Sequence, residues 1–246
     1  MFRMKNDDPS FYFNPSWALT RSGESVSLWS SLPPHSTSTL GVSAGSAPTS
    51  SRSPILFIGG VHGDEPEGVW LAEAFLNSLL THYNRNSQAS LQEWVLIPCL
   101  NPEGYARGER TNSAGVDLNR NFPSPDWSNE AKAPRYNPGS QPGSEPEVQG
   151  ALKAIEMFRP KLIVHFHSWK PCIVYTGKPA EAIAQKLGAH SGYPCHEDIG
   201  YPTPGSLGQY GWLSKQIPVI CIEEQEGALR EHVWPRFRWA LMDLLR

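Results

Sequence analysis

Short apolar runs alternate with amphipathic stretches along this chain. Residues 55–59 (ILFIG) form a continuous apolar run of strand length, the pattern of a strand buried on both faces. Residues 67–81 place Val69, Ala72, Phe75, Leu76 and Leu79 on one face at helical spacing. A second strand is expected at 94–100 (WVLIPCL). Ser144 with Glu147 predicts a capping box that opens a helix running through Phe158 and stopping at Pro160. Residues 162–166 (LIVHF) and 218–222 (PVICI) read as further strands, and a helix from about Val233 to Leu245 closes the chain. Strands alternating with helices predict an α/β fold with a largely parallel central sheet flanked by helices on both faces.

A chain of 246 residues is long enough to bury one large core, and residues 1–246 are read as a single domain. The tract at about 33–54 is rich in Ser, Pro, Gly and Thr, so it is expected to be an exposed loop between two edge strands. Net charge is −3, which gives no basic footprint for nucleic acid. No apolar run is long enough to cross a bilayer, so no membrane partner is expected. The start, MFRMKNDDPSFYF, carries Asp7, Asp8 and Pro9 where an export signal needs apolar residues, which predicts a soluble cytoplasmic protein. Cys99 and Cys221 lie inside apolar runs and are expected to be small core hydrophobes. Nothing in the pattern fixes the oligomeric state.

In sheets of this kind, sites form just beyond the carboxyl ends of strands. After ILFI come Gly59, Gly60, Val61, His62, Gly63, Asp64 and Glu65; after LIVHF come His167 and Ser168; after PVICI come Glu223 and Glu224. Two imidazoles and a carboxylate, with one position left open, are the ligand set of a catalytic zinc. The Gly59–Gly60 pair allows the sharp turn that lets one short loop present both His62 and Glu65.

These residues resemble the HxxE…H…E pattern of the zinc carboxypeptidase (M14, funnelin) family. Four further segments are similar to that family's: Asn101–Gly104 to its NPDG turn, Gly115–Phe122 (GVDLNRNF) to its substrate-anchoring segment, Ser144–Glu147 to its SEPE helix start, and Tyr201–Ser206 (YPTPGS) to the loop of its mobile tyrosine. Within the family these motifs most resemble the bacterial murein peptide amidases, which cut the γ-D-glutamyl–meso-diaminopimelate bond of cell-wall peptides. The resemblance implies a mixed central sheet, one Zn²⁺ per chain on His62, Glu65 and His167, and Glu223 as catalytic base. It implies Arg110 as the cation beside the metal, Asn119 and Arg120 as the grip on a terminal carboxylate, and Tyr201 as a residue that closes over the substrate. The partner implied is a small peptide, a murein tripeptide or similar.

Several positions carry rivals. Glu224 competes with Glu223, although strand alternation sends the two to opposite faces. Arg107 competes with Arg110, and His165, on the same face as His167, is a rival ligand. Asp64 is expected to orient a metal ligand. Leu207 matches the position of the family's specificity pocket, and Glu103 stands where the NPDG turn usually has Asp. Two other functions remain open: a deacylase of N-acyl amino acids of the aspartoacylase or succinylglutamate desuccinylase type, and a peptide-binding protein without turnover.

Overall fold

The computed structural model describes residues 11–33, 53–85 and 91–246. Its eight strands are β1 (Tyr12–Leu19), β2 (Ser25–Ser30), β3 (Ile55–Ile58), β4 (Trp94–Ile97), β5 (Leu162–Trp169), β6 (Cys172–Thr176), β7 (Cys195–His196) and β8 (Val219–Gln225). They form one sheet in the order β1-β2-β4-β3-β5-β8-β6-β7. The central β4, β3, β5 and β8 are mutually parallel, while β1–β2, β2–β4 and β6–β8 pair antiparallel. The sheet is therefore mixed, with parallel strands at its centre.

Strand alternation divides the core in two. Phe57, Val164, Phe166, Ile220 and Ile222 face α1 (Pro66–Arg85), α4 (Glu181–Ser191) and the closing helix α6 (Arg230–Asp243). Leu56, Ile58, Ile163 and Val219 face α3 (Pro146–Phe158) and the helical segment that α5 (Leu207–Gln209) opens. Val69, Ala72, Phe75, Leu76 and Leu79 are all buried, as their spacing in α1 requires. A short helix, α2 (Pro102–Arg107), follows β4 and is capped by the Asn101 side chain, which accepts from the Gly104 N–H at 2.9 Å.

Four expectations need correction. The chain flanking the 33–54 tract does not run between two edge strands. β2 lies inside β1, and β3 is central because all four of its residues are apolar and buried; most of the tract itself lies outside the described residues. The Ser144–Glu147 capping box does not form. The N-cap is Glu145, Pro146 takes the first helical position, and the Ser144 hydroxyl donates to Glu145 Oε1 at 2.7 Å instead of capping the helix. The Ser144 oxygen accepts instead from Asn121 Nδ2 at 3.0 Å, so its acceptor role goes to that amide and not to the helix N–H groups. β5 and β8 run further than their apolar runs suggest, so His167 and Glu223 lie within the ladder. The closing helix begins earlier than expected, at Arg230, and carries Pro235 inside it.

Candidate metal centre

The site lies at the carboxyl ends of β3, β5 and β8. Gly60 leaves β3 with φ +60°, and a Cβ there would meet Cys99 Sγ and Val69 Cγ2 at 2.8 Å, so only glycine allows this close turn. The loop it starts presents His62 and Glu65. The Nδ1 atoms of His62 and His167 stand 3.0 Å apart, and each lies 2.7 Å from an oxygen of the Glu65 carboxylate. Both rings are buried.

The remaining partners decide what this cluster can hold. His62 Nε2 lies 3.0 Å from Asp117 Oδ1. Burial pushes the Asp117 carboxyl up, but His62 and Arg110 outweigh it and hold the pKa well below the usual range, so Asp117 is an ionised acceptor. His62 must therefore donate from Nε2, so in the neutral ring Nδ1 carries a lone pair that faces a Glu65 oxygen. Two acceptors at 2.7 Å need a shared cation, either a ring proton or a metal ion. His167 Nε2 is engaged in the same way, 2.9 Å from Nδ1 of His165. Burial holds the His165 pKa well below its ordinary value, so that ring is neutral and suits a hydrogen-bond partner that fixes the His167 tautomer. Two imidazole nitrogens and a carboxylate converging on one point fit a zinc ion with room for a further ligand.

Asp117 thus does what was expected of Asp64. Asp64 instead points to the rim, where its Oδ2 accepts from Arg135 at 3.3 Å. The signal for Asp117 was present in the GVDLNRNF segment, two residues before Asn119. His165 also forms a donor group with His167 and Cys221, behind the first cluster and without a carboxylate.

The rivals separate by face. Glu223 points into the cleft with His167, while Glu224 is fully buried on the other side of the sheet, held by Tyr193 and Arg236. Burial raises the Glu223 pKa; His167 pulls it down and Glu65 pushes it up, with a net rise. Cys221 is not a core residue: it lines the cleft, and its thiol donates to Glu223 Oε1 at 3.2 Å. Arg107 pairs with Glu109 on the surface. Arg110 enters the cleft, donating from Nη1 to Glu65 at 3.1 Å and from Nε to Asp117 at 2.9 Å.

The cleft has a volume of about 680 Å³, and Asn119, Arg120 and Tyr201 line it too. Asn119 Oδ1 accepts from the Leu207 N–H at 2.9 Å, which leaves the amide NH₂ as a donor to the cleft. Arg120 is only 7% exposed and forms no salt bridge among the described residues; its Nη1 donates to its neighbour's carbonyl at 2.8 Å. Gly205, at φ +72°, lets the YPTPGS loop lie against this segment, since a Cβ there would meet the Arg120 carbonyl oxygen at 2.2 Å. Tyr201 is exposed, its ring edge-on to Trp169 at 5.9 Å. Leu207 is not in the pocket; it is fully buried in the core against α3, and Gly208 and Gln209 line the cleft in its place. Glu103 reaches from α2 to the turn between β1 and β2, accepting from the Thr20 and Ser22 hydroxyls, a span that suits the longer side chain.

A sequence profile described as zinc carboxypeptidase matches residues 33–198. The chain belongs to the zinc carboxypeptidase family. It is accordingly a hydrolase. It is 33% identical to murein peptide amidase A of Escherichia coli K12 over 217 residues, 81% of this chain and 86% of that protein. Among solved structures, the murein-tripeptide amidase of E. coli O157 superposes with a TM-score of 0.72 at 25% identity, covering 97% of this chain and 92% of that one. Bovine thrombin-activatable fibrinolysis inhibitor shares the zinc carboxypeptidase fold, with a TM-score of 0.74 at 18% identity over 96% of this chain and 88% of its own.

Proposed function

We propose that this chain is a zinc-dependent amidase of the carboxypeptidase type that hydrolyses the γ-D-glutamyl–meso-diaminopimelate bond of murein peptides. The observation that carries the reading is a buried Arg120 with no salt bridge among the described residues, beside the free amide donor of Asn119, in the same cleft as the His62–Glu65–His167 cluster. A guanidinium without a salt-bridged carboxylate keeps donors free for a substrate carboxylate, which its planar fork suits. The choice of murein peptide rests on the likeness to murein peptide amidase A.

His62, Glu65 and His167 would hold one zinc ion, which when bound supplies Lewis acidity that polarises the scissile carbonyl and acidifies water. Glu223 takes the proton from the attacking water and passes it to the leaving amine, and its burial makes it a stronger base than a solvated carboxylate. Arg110 keeps Nη2 free of partners among the described residues, a donor for the developing oxyanion that is worth on the order of 3 kcal/mol. The exposed Tyr201 can fold over the bound peptide from the mouth of the cleft. The four free thiols support a reducing, cytoplasmic setting, and no helix among the described residues is long and apolar enough to cross a membrane.

The test is mass spectrometry of products from a panel of γ-D-Glu-diaminopimelate, γ-D-Glu-Lys, ordinary C-terminal peptides and N-acyl amino acids. Release of diaminopimelate well ahead of the others is expected. Preferential release of an acyl group from N-acyl amino acids would move the chain to the deacylases.

A further inference from the structure

Three guanidinium groups surround one aromatic ring in the cleft. Arg110, Arg120 and Arg135 place their Cζ atoms 5.3, 5.6 and 5.6 Å from the Tyr136 ring centre. All four residues line the same cleft. Arg110 is committed to Glu65 and Asp117, and Arg120 forms no salt bridge among the described residues, donating only to the Asn119 carbonyl. Among the described residues Arg135 has one salt-bridge partner, Asp64 at 3.3 Å, and its own side chain is 56% exposed. Such a pair contributes little to stability and leaves most of the guanidinium donors available.

A γ-linked glutamyl residue has a chemical consequence that an ordinary peptide lacks. Because its side-chain carboxyl forms the scissile amide, its α-carboxylate stays free on the acyl side, a few bonds back from the reacting carbonyl. The substrate then carries a carboxylate on the acyl side of the bond that breaks, in addition to the two of diaminopimelate on the leaving side. Arg120 serves the leaving side; a second cation is needed on the acyl side.

We propose that Arg135, stacked on Tyr136, is that second carboxylate reader. It exchanges its exposed Asp64 contact for the acyl-side α-carboxylate and so favours γ-glutamyl over α-linked substrates. The ring holds the guanidinium plane at the cleft wall by cation–π contact, and the Pro134–Tyr136 turn fixes its backbone. This assignment rests on the murein-peptide reading and adds to it a residue and a recognised group.

The experiment compares γ-D-Glu-diaminopimelate peptides whose acyl-side α-carboxylate is free or amidated, using zinc-loaded wild type, Arg135→Ala and Arg135→Lys. Wild type should favour the free acid by about 10-fold in kcat/KM, the scale of one partly exposed charge-assisted contact. Arg135→Ala should raise KM on the free acid by about the same factor, with kcat held and the amidated peptide unaffected. Arg135→Lys should fall between them, since it keeps the charge but not the fork. Equal wild-type rates on the two peptides, or equal damage to both by Arg135→Ala, would overturn the assignment while leaving the murein reading intact. If neither peptide is cleaved but α-linked C-terminal peptides are, the murein reading falls and this assignment falls with it. Metal content and melting temperature of each variant identify any loss that comes from misfolding.

Discussion

His167 and Glu223 are register partners on the parallel strands β5 and β8, so their side chains leave the same face of the sheet side by side. The ladder fixes an imidazole of the proposed metal site and the proposed base relative to one another through backbone hydrogen bonds. A site built on strands holds its geometry more tightly than one carried on loops.

Removing an imidazole should remove the metal. His62→Ala and His167→Ala are expected to lose zinc and activity together, against about one zinc per chain in wild type by elemental analysis. A variant that retains full metal would show that the ligand set lies elsewhere.

Glu223→Gln should keep its zinc and lower kcat by about 10²–10⁴-fold, the usual contribution of a general base. Glu224→Gln should turn over normally and instead melt at lower temperature, because it disturbs the buried contact with Tyr193 and Arg236 at a cost of about 1–3 kcal/mol. An inactive but stable Glu224→Gln would exchange the two roles.

Asp117→Asn keeps the shape but weakens the acceptor that orients His62. Zinc affinity should fall by about 10- to 100-fold, measured by competition with a chelator. Unchanged affinity would reduce Asp117 to a loop anchor that caps the Asn119 N–H.

Arg120→Ala should lower kcat/KM by roughly 30- to 5,000-fold on a substrate with a free terminal carboxylate, the equivalent of about 2–5 kcal/mol. On the same substrate with that carboxylate amidated, wild type should already be slow and Arg120→Ala should lose little more. Equal wild-type rates on the two would remove carboxylate recognition and leave the metal chemistry standing.

Glu103 links α2 to the β1–β2 turn, and the pH dependence of that link has a definite sign. Burial pushes its carboxyl up, but hydrogen bonds from Ser113, Ser22 and Thr20 prevail and bring it from an ordinary 4.5 down to about 2. A depressed carboxyl stabilises the fold in full above the unfolded value and loses that contribution as pH falls through the folded one. In metal-free protein, Glu103→Ala should therefore melt below wild type at pH 7, and the gap should close between pH 4.5 and 2. A gap independent of pH would assign the loss to packing.

The sequence by itself determined the class of fold and the identity of the cluster. The apolar runs at 55–59, 94–100 and 162–166 read as buried strands, and strands stand there, the second ending at Ile97; the stripe from Val69 to Leu79 read as one helical face, and it is buried. The grouping of His62, Glu65 and His167 was legible because sites form past strand ends, and alternation alone sent Glu223 and Glu224 apart. Tertiary structure decided what depends on long-range neighbours. Asp117 became the partner of His62, and Asp64 the partner of Arg135, because separate loops meet at the cleft. The Ser144 hydroxyl turned from the helix end because Asn121, 23 residues earlier in the chain, donates to its oxygen while the hydroxyl itself donates to Glu145. Cys221 and Leu207 exchanged their expected places, one in the cleft and one in the core, since hydrophobicity sets a preference for burial but only the face of the element decides what a side chain meets.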